Sequence, residues 1–362
     1  MRDKPIRTVL PAEKEAIETN QNLLSPGVLT TAGGGQPVCI YVFNYDAGFI
    51  EEHELKTVEE LFKYKNNKDK SWINVEGIRK EDVLKLCTEF EIHALLAEDI
   101  LSEGQRPKMD EFGNILFCLL NMLYFDEKSA SIETEQISIA LGNNFIISFQ
   151  ENNGKDVFNI IRERLRMPHS KVRERSCDYL LYSMIDLIVD QYYVVLEKLG
   201  GKIEQLEDEI IRSTNVRSLG QLNGFRKELI ILRKNIAPVR DIINAILRSD
   251  SDLLEERITK YFKDIYDHIV QANDLVESYR DMVMSLQDLY MNKVNLRLNE
   301  VMKVIAIVTC LMAPATVIGG IFGMNFSVIP LAHQNEGFYI AVGVMILIPL
   351  LMIYIFKRRG WF

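Results

Sequence analysis

Gly323-Met324-Asn325 closes an apolar stretch that carries a stripe of small and polar residues, and the combination suits a hydrated cation. The stripe runs Asn299, Met302, Ala306, Thr309, Ala313, Thr316 and Gly320 in alternating steps of three and four, within a segment otherwise built of Val, Ile, Leu and Met. Small residues at this spacing pack helices closely in lipid. Repeated around a symmetry axis, the same stripe would line a wet path. A small dication that gives up water reluctantly is best passed by neutral oxygens. Backbone carbonyls and the Asn325 amide offer such a ring, whereas carboxylates would hold the ion longer. Gly323 lets the backbone turn close to an axis. Asn is also a favoured helix C-cap, which is the simpler role for Asn325.

The elements that must position these residues are two apolar stretches, Val304 to Phe322 and Phe338 to Phe356. Each has about the 20 residues a helix needs to cross a bilayer. Lys303 flanks the first and Lys357-Arg358-Arg359 the second, while the connecting loop has no Lys or Arg, so both termini are expected in the cytoplasm. The first nineteen residues are studded with charge and lack the apolar core of a signal peptide. The expectation is a multi-pass protein of the cell (inner or plasma) membrane with its large N-terminal part in the cytosol. A hairpin cannot enclose water alone, so a conducting path requires several copies of the chain.

Composition bounds the alternatives. A formal net charge of -9 argues against nucleic acid as a partner and fits a protein that handles cations. Cys39, Cys87, Cys118, Cys177 and Cys310 show no CxxC or other metal-ligand spacing and are expected to be reduced. No GxGxxG, GxxxxGK[ST] or GxSxG occurs, and no nucleophile and base stand in catalytic spacing, so nothing indicates an enzyme.

Patterning divides the chain further. Residues 1–36 end in Thr-Ala-Gly-Gly-Gly and lack periodicity, as expected of a mobile tail. From 37 to 168, β-rich runs at 38–43, 72–75, 115–124, 137–141 and 145–149 alternate with helical patterns at 58–64, 81–90 and 93–101, which predicts a cytosolic α/β domain. From 169 to 252 the pattern is helical, punctuated at Gly200-Gly201, Ser213-Thr214-Asn215 and Ser249 to Asp252. No proline follows until Pro314, so one helix is expected over 253–322, roughly 105 Å at about 1.5 Å per residue. Since the bilayer takes only about 30 Å, most of it is a stalk that continues into the first span. The external loop is 323–337, the second span 338–356 and the basic cytosolic tail 357–362. Along the stalk Asp267, Asp274, Asp281 and Asp288 recur every seven residues, which keeps them on one face. A solvated acidic face explains them as well as a shared cation path does.

The triplet at the end of the first of two C-terminal spans resembles the signature of the CorA family of divalent-cation channels. The likeness extends over nearly everything after residue 36, through Trp72-Ile73-Asn74-Val75-Glu76-Gly77, Glu98-Asp99-Ile100-Leu101, Gln105-Arg106-Pro107-Lys108, Asp178-Tyr179-Leu180-Leu181-Tyr182 and Asn299-Glu300-Val301-Met302-Lys303. The resemblance implies a funnel-shaped homopentamer whose principal substrate is magnesium, with cobalt and nickel also carried. It implies a selectivity filter at Gly323, Met324 and Asn325. The pore would be lined by Asn299, Met302, Ile305, Ala306, Thr309, Ala313, Thr316 and Gly320, with Met302 and Ile305 as an apolar constriction. It also implies closure by internal magnesium as a regulatory ligand, with Asp99 and Asp264 meeting across a subunit interface and Glu98 and Asp186 near a second position. Carboxylates gathered there repel one another unless a cation lies between them.

Some positions depart from the family pattern. Phe322 stands where Tyr is common, Ala313 where some relatives have Met, and Ser327 and Leu331 where acidic residues often occur. The loop keeps a single carboxylate, Glu336, and contains His333, which suits a softer metal. Two other readings stay open: a zinc or other transition-metal transporter of the same superfamily, and a membrane-anchored scaffold that does not conduct.

Overall fold

The computed structural model describes residues 38–65, 67–151, 157–213, 215–324, 329–331 and 336–360. The tail 1–36, Asn325 to Val328 and His333 lie outside them. The chain forms two compact units, Met1–Gln205 with Asn223–Met282, and Leu206–Leu222 with Val283–Phe362.

In the first unit a seven-stranded sheet has the order β2-β1-β3-β7-β6-β5-β4. The strands are β1 Cys39–Tyr45, β2 Ile50–Leu55, β3 Lys70–Glu76, β4 Lys108–Phe112, β5 Ile115–Asp126, β6 Ser131–Leu141 and β7 Phe145–Gln150. Every neighbouring pair is antiparallel except β3 with β7, where Trp72 pairs with Ile146 and Glu76 with Gln150. The central strands read as continuous apolar runs because both faces of the sheet are covered. One face carries Ile40, Val42, Ile73, Val75, Ile147 and Phe149, which share a core with α1 (Lys80–Glu89) and α2 (Ala94–Leu101) through Leu86, Phe90, Leu96 and Ile100. A 3-10 helix at Val58–Tyr64 adds Leu61 and Tyr64 to the same core.

The opposite face holds a buried polar chain. Trp72 Nε1 donates to Ser148 Oγ (2.9 Å), Ser148 Oγ to Asn74 Oδ1 (2.6 Å), and Asn74 Nδ2 to Glu76 Oε1 (2.9 Å). Arg162 of α3 (Asn159–Arg166) completes it with an ion pair to Glu76 at 2.9 Å.

After the short helix α4 (Lys171–Glu174) the chain is long-helical: α5 Cys177–Arg212, α6 Val216–Arg248, α7 Thr259–Phe322 and α8 Gly337–Arg358. The Gly200-Gly201 pair does not break α5, contrary to the expectation from sequence. Instead, a Cβ at Gly200 would overlap the Tyr279 ring of α7, so the glycine serves close packing of the two helices. Helix α7 begins at Thr259 rather than Leu253, after a 3-10 turn at Glu256–Ile258. Glu255 is held extended there because its amide donates to Asp178 Oδ2 (2.9 Å) and its carboxylate accepts from Ser176 Oγ (2.7 Å).

At 64 residues, α7 is about 96 Å long at about 1.5 Å per residue. Its buried positions within the first unit, Phe262, Ile265, Ile269, Ala272 and Val276, alternate in steps of three and four. Val283, Leu286 and Tyr290 follow the same rhythm within the second unit. That is the seam of a heptad helix packed on its neighbours. Asp267, Asp274, Asp281 and Asp288 lie off this seam and are exposed.

Candidate functional site

The residues singled out from the sequence fall into two groups. The first is the C-terminal half of α7. Helices Glu256–Phe322 and Gly337–Arg358 are long and apolar enough to cross a membrane, and their most apolar windows are only 6% and 0% buried within the chain. Cys177–Arg212 also has the length and composition, but 61% of its window is buried inside the protein, so its apolar surface is already used in packing.

Asn299, Met302, Ile305, Ala306, Thr309, Ala313, Thr316 and Gly320 are all exposed on α7. Thr309 and Thr316 donate to the carbonyls of Ile305 (2.8 Å) and Met312 (3.0 Å) one turn back, which leaves their oxygen lone pairs outward. Pro314 lies inside the helix and has no N–H, so it donates nothing to the Cys310 carbonyl. The helix closes with Gly323 N donating to Gly319 O (3.0 Å) and Met324 N to Ile321 O (3.3 Å). A Cβ at Gly323 would come within 3.1 Å of the Gly319 carbonyl oxygen, so a larger residue would press on the last turn. Asn325, the third member of the triplet, is outside the described residues.

The second group is acidic. Asp99 sits on α2, with its carboxylate 2.6 Å from Lys108 Nζ, which also reaches Asp110 Oδ2 at 3.0 Å. Burial works against the Lys108 ammonium, but its hydrogen bonds to Asp99 and Asp110 prevail and its pKa is raised. The backbone carbonyl of Asp99 accepts from Gln136 Nε2 (3.0 Å), which ties the helix to β6. Glu98 is exposed beside it and Asp264 is exposed on α7.

Asp186, half-buried on α5, keeps different company. Its ligand atoms, those of Asp190 one turn on, and those of His268 on α7 lie within 4.8 Å of one another. Glu98, Asp99 and Asp264 are not members of that group. Burial, and then the Asp190 carboxylate, hold the Asp186 carboxyl above its ordinary range. Tyr182 Oη donates to Asp186 Oδ2 at 3.4 Å. The sequence reading missed Asp190, His268 and Lys108. The four-residue spacings Asp186 to Asp190 and Asp264 to His268 on helical segments were the available signal.

A family model described as a CorA-like Mg2+ transporter protein matches residues 67–358. The chain belongs to this family. It is 37% identical over 340 residues to the cobalt/magnesium transport protein CorA of Thermotoga maritima, covering 93% of this chain and 97% of that one. The solved structure of the CorA magnesium transporter from Methanocaldococcus jannaschii superposes with a TM-score of 0.73 at 25% identity, covering 89% of this chain and 98% of that one. A more remote likeness, 20% identity over 80% of this chain and 87% of the relative, is to the zinc transport protein ZntB of Yersinia pseudotuberculosis. CorA-like proteins are membrane transporters of divalent cations rather than a class of enzymes, and the sheet with long helices seen here is the CorA architecture.

Proposed function

We propose that the protein is a passive channel for magnesium, and for cobalt and nickel, assembled as a funnel-shaped homopentamer with both termini in the cytoplasm. The observation that carries this reading is the small and polar stripe on one exposed face of α7, which ends at Gly323 and Met324 and leads into Asn325. The relatives' names supply the substrate class. A dication entering a negative-inside cell gains about 4.6 kcal/mol per 100 mV, at about 2.3 kcal/mol per charge, so no ATP is needed. Asn325 with the carbonyls of Gly323 and Met324 would face the hydrated ion. Met302 and Ile305, 60% and 59% exposed in the chain, would narrow the path with apolar side chains that exclude water.

Closure would follow from metal held between subunits by Asp99, Asp264, Glu98 and Asp186. Lys108 adds a feature to this scheme, since its ammonium already occupies the Asp99 carboxylate and competes with an arriving dication. Lys108→Met is therefore expected to close the channel at a lower internal magnesium concentration, and Asp99→Asn at a higher one. Because the Lys108 side chain is 39% exposed, solvent screening limits its effect to roughly threefold. Currents recorded against stepped internal magnesium measure both shifts.

The reading as a whole is tested in liposomes under an inside-negative potential, with an internal magnesium indicator. Wild type is expected to admit magnesium and Asn325→Ala to abolish the influx. Undiminished influx in the folded variant would remove the triplet from the path. If oligomeric wild type admitted zinc but not magnesium, the relationship to ZntB would be the better guide.

A further inference from the structure

Helices α5 and α7 face each other with two pairs of ligating residues, each pair one turn apart: Asp186 and Asp190 on one, Asp264 and His268 on the other. Three of the four, Asp186, Asp190 and His268, place their ligand atoms within 4.8 Å of one another in a single chain. Ligands about 2.0–2.2 Å from a metal lie on the order of 3–4 Å apart, so this set would have to draw together slightly to hold an ion.

Among the described residues, no Lys or Arg forms an ion pair with Asp186, Asp190 or Asp264, although other carboxylates on the same unit are paired. Half-buried Asp186 and exposed Asp190 thus stand beside the His268 imidazole with no cation paired to them among the described residues. The groups around them hold the donors in place. Tyr182 Oη donates to Asp186, and the His268 ring stands edge-on to Tyr193 at 6.3 Å and 84°. Tyr193 Oη in turn donates to the His268 carbonyl at 2.7 Å. The bond to Asp186 is a support of the kind that orients the ligands of a metal site, whereas the Tyr193 bond ties α5 to the α7 backbone at His268.

The donor types discriminate between metals. Magnesium demands oxygen ligands and keeps most of its water, whereas imidazole nitrogen suits zinc, nickel and cobalt. We propose that Asp186, Asp190 and His268 form, within one chain, a site that takes transition-metal dications in preference to magnesium. The site differs from the cross-subunit closure positions in needing no partner copy and in having a nitrogen ligand. It shares Asp186 with them, so its occupation would remove that carboxylate from magnesium while tying α5 to α7. This consequence for closure rests on the proposed channel reading; the binding itself does not.

The test is equilibrium binding of nickel to the purified full-length chain in a large excess of magnesium, in an Asn325→Ala background that disables the proposed filter. One nickel per chain is expected to stay bound, and His268→Gln is expected to weaken it by at least about tenfold. Cobalt supplies a second readout: its visible absorption should change on binding and lose that change in His268→Gln. Asp274→Asn, at an exposed acid elsewhere on α7, should leave both signals unaltered. Nickel binding that magnesium displaces at equal concentration, or that is the same with and without the imidazole, would overturn the proposal. Should His268→Gln fail to fold by circular dichroism, Asp190→Asn puts the same question to the exposed member of the set. Magnesium influx in liposomes is scored separately, so failure of the metal site and failure of the channel reading are told apart.

Discussion

Arg162→Met is expected to destabilise the α/β unit by about 3–5 kcal/mol, seen as a fall in the unfolding midpoint followed by circular dichroism. Arg162 and Glu76 side chains are each only 9% exposed, with Nη2 and Oε1 2.9 Å apart. The guanidinium also donates to Asn159 Oδ1 (3.0 Å) and lies over the rings of Tyr41, Phe43 and Trp72 at 5.6, 5.9 and 5.7 Å. Methionine fills much of the volume but removes the guanidinium that faces the buried Glu76 carboxylate. Most of the loss therefore belongs to the abandoned partner rather than to the missing bond. Removing both charges, as Arg162→Met with Glu76→Leu, should recover most of the stability, because an apolar pair can replace a buried ion pair at little cost. A double variant less stable than Arg162→Met would refute this account.

Trp72→Ala is expected to cost a similar amount, about 3–5 kcal/mol, for a different reason. Trp72 is 0% exposed, stacks on Phe43 at 4.9 Å and 26°, and meets Phe158 edge-on at 6.0 Å and 81°. Alanine would leave a cavity between sheet and helix. It would also strip a donor from Ser148, the start of the polar chain that ends on Glu76. Trp72→Phe keeps most of the packing and isolates the lost donor, at about 1–2 kcal/mol. Because the Arg162 guanidinium lies over the Trp72 ring, the two substitutions should not be additive. Strict additivity in the double variant would mean that ring and ion pair are independent.

Residues buried on both faces were the easiest to read from sequence. β5 and β7 announce themselves as apolar runs because helices cover each side of the sheet. β2, Ile-Glu-Glu-His-Glu-Leu, and β4, Lys-Met-Asp-Glu-Phe, were missed because they are edge strands, where charge protects an open row of backbone groups and hides the β pattern. Helix α3 was missed for a related reason. Its Arg162 looks solvated in a list of residues but is buried through a partner far away in sequence. The members of the small stripe, spaced in threes and fours in the sequence, all fall on the single helix α7. The grouping of Asp186, Asp190 and His268 needs α5 and α7 to be set side by side, and no one-dimensional pattern carries that information. Gly200 was misread as punctuation, since a packing glycine and a helix-breaking glycine are the same letter.

Within the second unit, Lys293 Nζ of α7 donates to the carbonyls of Ile210 (2.9 Å) and Ile211 at the C-terminal end of α5. Those oxygens lie in the last turn of α5, at the negative pole of its dipole. A single ammonium thus acts as a pawl between the two helices. Sliding α7 by one turn, about 5.4 Å, would carry the lysine out of reach of both carbonyls. Axial travel of the rod is then costly, whereas tilting or bending about this point keeps the bonds, so the mechanical freedom left to α7 here is that of a lever and not of a piston.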